Sequence, residues 1–240
     1  GIFGEIRARV WALDNNAQTL RIMALGASIG LRGIEPTREQ TPAYGFRHEI
    51  YRRISFGYRL LTEASYEDWF AQDREKNRAD GVALHAVLDT TRSIQRVTMS
   101  LVWNRLEFQK LETPESESRT ALEAIGRTLP TIFVKLASEI ENPERHETRE
   151  ENPTEELSQA ILRAEAQMNQ DQPNASDPQR DGHVQRLLRA QLGFYQQMEI
   201  LLTRLDDQSR NLSISGDRFS LAARLRGSEH RLEAPSIRPA

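Results

Sequence analysis

VALHAVLDTTRSIQRVTMSLVWNRLEFQKL, residues 82–111, is the stretch whose reading decides the fold. It contains neither Gly nor Pro. Stepping about 100° per residue from Ile94 places Leu84, Val87, Val97, Leu101, Val102 and Phe108 on one broad face. Leu88, Met99 and Leu106 flank that face, and Asp89, Arg92, Arg96, Ser100, Glu107 and Lys110 fall opposite. The period predicts an amphipathic helix ~45 Å long, the longest in the chain and its spine. His85 and Trp103 both lie about 180° from Ile94, on the polar side. A large aromatic on a polar face marks a partner surface. A second helix packing on that side is the plainer reading.

Upstream, Phe3, Ile6, Val10, Leu13, Ala17, Leu20 and Ala24 recur at spacings of three and four, which predicts a helix from Phe3 to Leu25. Asp14, Asn15 and Asn16 lie away from that stripe. Such residues cost ~0.5 kcal/mol each relative to Ala, so tertiary packing must hold this helix. Trp11 and Ile22 also sit off the stripe and suggest a second contact surface. Residues 26–42 then break the pattern with three glycines and two prolines. Tyr44–Glu63 resumes it through Phe46, Ile50, Ile54 and Leu61. Ser65 reads as the cap of a short Tyr66–Ala71 segment, and Gly81 as the stop before the 82–111 helix.

Downstream, Ala121–Ile140 is helical by its spacing, with Pro130 inside it predicting a kink or two short helices. Asn152-Pro153-Thr154-Glu155 opens another helix, running to about Met168. His183–Asp207 carries the last strong stripe, from Val184 through Tyr195 to Leu205. The organisation expected is a helical bundle over residues 1–142, then an acidic connection, short helix and flexible linker over 143–182. A long helix packing on the bundle follows over 183–209, and a mobile tail over 210–240. Nothing alternates long enough to make a sheet. The fold class expected is all-α.

Composition narrows the function. Over 240 residues the net charge is −3 with both signs interspersed, which gives no support to nucleic-acid binding. Cysteine is absent, so disulfides, thiolate metal sites and a cysteine nucleophile are excluded, and a reducing compartment such as the cytoplasm fits. The longest uncharged apolar runs fall far short of the ~20 residues of a spanning helix. The chain opens with Gly1 and reads as helix almost at once, as a tag scar or a piece of a longer protein would.

Gly26-Ala27-Ser28-Ile29-Gly30 matches the G-x-S-x-G of a hydrolase nucleophile elbow. That chemistry needs Ser28 on a strand-to-helix turn of a parallel sheet. The other strands are missing, so a glycine-bounded helix end is the better reading. The five histidines never fall at i, i+4, and Glu144, His146 and Glu147 sit in a charged run that reads as solvated. Asp206-Asp207-Gln208-Ser209-Arg210 is similar to the magnesium-binding acidic motif of terpene synthases, but Arg210 stands where the third acid belongs. No catalytic, cofactor-binding or metal site is expected, and no cofactor.

Phe3–Leu25, RRISFGYRLLTEASYEDWF, the 82–111 helix and LLRAQLGFYQQMEILLTRLDD together resemble the helical cytoplasmic domain of the fusaric-acid-resistance and aromatic acid exporter family (FUSC-like inner-membrane proteins). The resemblance implies a non-catalytic domain that mediates assembly or regulation of a membrane transport protein, at the inner face of the inner membrane. Its partner would be a protein: a second copy, or the membrane part of a longer chain. A freestanding helical adaptor is the alternative. The expected interaction surface comprises Trp11, Ile22, His85 and Trp103.

Overall fold

Helix forms wherever apolar residues recur at three and four, and in two places it extends well beyond them. The computed structural model describes residues 2–30, 42–67, 74–109, 111, 116–141, 152–170 and 178–214. Its elements are α1 (Ile2–Gly30), α2 (Pro42–Glu67), α3 (Arg74–Gln109), α4 (Glu117–Glu141), α5 (Glu155–Gln170) and α6 (Pro178–Ile214). Among the described residues there is no strand, and the fold is all-α.

Four helices enclose the core. α1 and α6 each pack against both α3 and α4, closing a ring. α2 lies against α1 and α3, and α5 against α4 and α6, so each seals one groove of the ring. The stripe read in residues 82–111 faces this interior. Ile94 and Leu101 are 0% exposed, and Leu84, Val87, Val97, Val102 and Phe108 are buried with them. The helix is unbroken at Ile94.

Several local expectations change. α3 begins at Arg74 and passes straight through Gly81, because the strong helix formers of Arg74–Asp80 outweigh one glycine, which costs ~1 kcal/mol relative to Ala. α6 begins at Pro178, five residues before His183, and its 37 residues make it one longer than α3. Proline suits a first helical turn, where its missing N–H would be unpaired anyway. α2 continues through Ser65 to Glu67, so Ser65 lies within a helix and not at the start of one. α4 is one continuous helix across Pro130. The carbonyl that the proline ring crowds belongs to Gly126, which has no side chain to resist a small adjustment. Its N-cap is Ser116, whose Oγ accepts the Arg119 N–H at 3.2 Å. α6 ends at Ile214, so residues 210–214 of the expected tail are helix. Thr113 and Pro114, the start expected from the sequence, lie outside the described residues, as do 171–177 of the expected linker and the rest of the tail from 215 onward.

The largest departure is α1. Asn15 and Asn16, expected away from the buried stripe, are themselves buried. α2, α3 and α4 surround this helix, so its polar side has nowhere else to go. Asn15 Nδ2 donates to the Arg53 carbonyl at 2.7 Å, and Thr19 Oγ1 to the Asn15 carbonyl at 2.7 Å. Ala12, Ala17, Ala24 and Ala27, all buried, let neighbouring backbones approach. At Gly57 the approach is close: a Cβ there would meet Leu88 Cδ1 at 3.1 Å and Asn15 Nδ2 at 3.2 Å.

Candidate interaction surface

Because α1 is wrapped on three sides, solvent reaches it along one narrow strip. Trp11, Gln18 and Leu25, each seven residues after the last, are the exposed positions of its described side chains. Trp11 is 45% exposed. Between it and Leu25 the strip is tied down: Arg21 donates to both carboxylate oxygens of Glu141, with Nη2–Oε2 at 2.6 Å, closing α1 on α4. Ile22 turns inward, half-buried and packed on the hydrophobic core, so it does not join this strip.

α3 has one continuous solvent stripe. Val82, His85, Asp89, Arg92, Arg96, Trp103 and Glu107 are exposed along it. Trp103 is 47% exposed, so the plainer reading of a helix covering it does not describe the structure. His85 is exposed too, beside α2: its ring centroid lies 6.3 Å from that of Tyr58. Tyr58 donates its hydroxyl to Asp89, and the Arg92 guanidinium sits 5.9 Å above its ring. Burial, then the hydrogen bond to Asp89, hold the Tyr58 hydroxyl above its ordinary pKa. His85 and Trp103 thus share a stripe without meeting, ~27 Å apart along the helix.

The other candidate chemistry resolves plainly. Ser28 lies inside α1, with helix on both sides of it, so the turn that would present a nucleophile is not there. Asp206 is buried and paired with Arg210 at 2.7 Å, so the residue standing for the missing third acid neutralises the first. Glu144, His146 and Glu147 lie outside the described residues. Among the described residues no three His, Asp or Glu side chains gather where a metal ion could be held.

A polar network that the sequence analysis missed lies inside the ring. Arg105 of α3 is buried and reaches Glu123 of α4 at 2.6 Å. Arg119 Nε meets the same Glu123 oxygen at 3.0 Å, and its guanidinium lies 5.1 Å from the Phe108 ring centroid. Burial pushes the Glu123 carboxyl up, but the hydrogen bonds from Arg105 and Arg119 outweigh it, and its pKa is lowered. Tyr195 of α6 is fully buried nearby, its hydroxyl 3.3 Å from Gln191 Nε2. Burial pushes its pKa up to about 12, so the phenol stays neutral and is no base near neutrality. The signal was available: Arg105 falls about 20° from Ile94, in the middle of the apolar face. A charge there demands a buried partner. What the cluster does is clamp α3 to α4 against α6. Close by in kind is Asn16, both of whose buried amide atoms lack a hydrogen-bond partner among the described residues.

The chain matches no family model, no curated protein and no solved structure. Its surface therefore carries the functional argument. No helix among the described residues is long and apolar enough to cross a membrane. The large apolar side chains left exposed include both Trp11 and Trp103. Tryptophan is the residue type in which interface energy concentrates.

Proposed function

We propose that this chain is a non-catalytic helical module that mediates protein assembly, with Trp11 on α1 and Trp103 on α3 as its anchors. The observation that carries the reading is their exposure. Each is close to half exposed on a helix whose other described large apolar side chains are mostly packed in the core. The setting we propose is regulation or assembly of a membrane transport protein at the inner face of the membrane. That part rests on the resemblance of the quoted stretches to FUSC-like cytoplasmic domains. A longer reading frame with spanning helices beside these residues supports it; one without them favours a freestanding scaffold.

The anchors are tested by Trp11→Asp and Trp103→Asp, with sedimentation mass and partner capture as readouts. Truncating an interface anchor costs ~2 kcal/mol or more, a ~30-fold loss of affinity. Helicity by circular dichroism should be unchanged. Unfolding by either substitution, or association unaffected by both, removes the reading.

A further inference from the structure

We infer that the solvent stripe of α3 is the docking site for α3 of a second copy of this chain, the two helices running antiparallel about a two-fold axis near residues 92 and 93. The inference rests on the assembly reading and names its partner and geometry. Three features of the stripe lead to it.

The first is the placement of its apolar ends. Val82 and Trp103, 65% and 47% exposed, stand at opposite ends of the stripe. An antiparallel copy brings each against the other's counterpart, Val82 to Trp103 and Trp103 to Val82. Both uncovered apolar groups are then buried by one symmetric contact, as an isologous interface requires.

Charge is the second feature. The same axis that pairs residue 82 with 103 pairs 89 with 96, because both pairs are centred on the same point of the helix. Asp89 of one copy then faces Arg96 of the other, twice per dimer. Both side chains are exposed on the stripe. A parallel copy instead sets Asp89 against Asp89 and Arg96 against Arg96, and like charges at short range are repulsive, whereas Arg92 comes near its counterpart in either arrangement. At the axis Ser93 is small and half-buried, and Ser100, facing His85 of the other copy, is small too.

Size is the third. From Val82 to Glu107 the stripe runs ~37 Å. A specific interface covers about 800 Å² per partner, so the contact needs a width of about 20 Å. One helix is ~10–12 Å across with its side chains, so the adjoining flank of α2 takes part. That flank already carries Tyr58 in contact with Asp89 and Arg92, which holds the charged side chains in place before docking.

The chain has no cysteine, so engineered thiols report cleanly. In the full chain carrying both Val82→Cys and Trp103→Cys, mild oxidation should give a covalent dimer, while each single variant stays uncrosslinked. Within one chain the two thiols lie ~31 Å apart along the helix, far beyond the ~7 Å Cα limit for a disulfide, so any link is between copies. Since Trp103→Cys removes an anchor, a second test keeps both apolar ends. Asp89→Arg and Arg96→Asp should each weaken the dimer by ~30-fold, and the two together should restore it. Crosslinking by Val82→Cys alone indicates a parallel pair and overturns the geometry. A dimer indifferent to all four substitutions forms elsewhere, which overturns this inference and leaves the assembly reading standing. A chain that stays monomeric at high concentration overturns the inference. If it also captures no other protein through Trp11 or Trp103, the assembly reading falls with it.

Discussion

α1 and α3 are both long helices of the same bundle, yet they meet their surroundings in opposite ways. α3 is a wall: one face lies in the core, and the other carries charge and one tryptophan into solvent. α1 is closer to an axis, wrapped by α2, α3 and α4, with alanines and amides buried around it. Hydrophobic periodicity therefore identified α3 at once and ranked it as the centre. A helix buried on most sides shows less contrast between its faces, so the stripe read in α1 does not reveal how much of the rest is covered. Amphipathicity finds the walls of a bundle better than its axis.

The largest effect should come from the charge inside the wall. Glu123→Gln leaves the buried Arg105 guanidinium without its carboxylate, and breaking such a pair costs ~3–5 kcal/mol. Urea unfolding should show that loss. Arg105→Met with Glu123→Leu should recover most of it, since apolar residues of similar volume replace buried pairs at little cost. The pH dependence has a definite sign. The folded pKa of Glu123 lies below its unfolded value of about 4.3, so the unfolded chain takes up the proton first on acidification. The stabilisation is complete above that value and is lost as pH falls through the folded pKa. A Glu123→Gln protein should show a flatter stability profile below pH ~5 than the parent.

Tyr195 sets the opposite limit. Its folded pKa of about 12 stands above the ordinary value near 10. Its contribution is whole below pH ~10 and disappears as pH rises through the folded value, a loss of ~2–3 kcal/mol. Tyrosinate absorbance should show Tyr195 ionising last of the five tyrosines, together with unfolding. Tyr195→Phe should abolish that step; ionisation of all five before unfolding would mean that Tyr195 is reached by water.

These two groups show where sequence reading runs out. Arg105 was legible as a charge on an apolar face. Its partner was not, because Glu123 belongs to the next helix and Tyr195 to the last, and only packing brings them together. α3's inner stripe was readable residue by residue, from Leu84 to Phe108, since one-sided burial writes itself into the period. Trp11 and Trp103 were legible for the same reason, as apolar groups out of phase. Ile22 was not, because a helix with neighbours on three sides buries residues well away from its main stripe. The burial of Asn15 and Asn16 was likewise hidden: polar side chains next to a stripe normally mean solvent, and here they mean a third neighbour.

Close packing around α1 gives a smaller effect that tests the axis directly. Ala17 is fully buried there, so Ala17→Leu adds volume where backbones already approach, at ~1–3 kcal/mol. Ala190, exposed on α6, is the control, and Ala190→Leu should stay within about half a kcal/mol. Thermal unfolding of the pair decides it. Equal effects would mean that α1 has room on one side and is no axis.

The smallest expected change bears most on function, and it sets the two faces of α3 against each other two residues apart. Leu101 is fully buried, and Leu101→Ala removes a core side chain at ~2–5 kcal/mol. Trp103 points the other way, about 200° around the helix, and is 47% exposed. Trp103→Glu should cost about 1 kcal/mol of monomer stability, less than Leu101→Ala, because half of the ring is already in water and no charge is buried. Its effect belongs in association, where the same substitution sets an acid against the apolar end of a docked helix. Measuring both quantities on one variant separates the alternatives. A stability loss approaching that of Leu101→Ala would place Trp103 in the core and take away the anchor on which the α3 surface depends. A small stability change with weakened association would leave it as a side chain whose outer half is kept for a partner to cover.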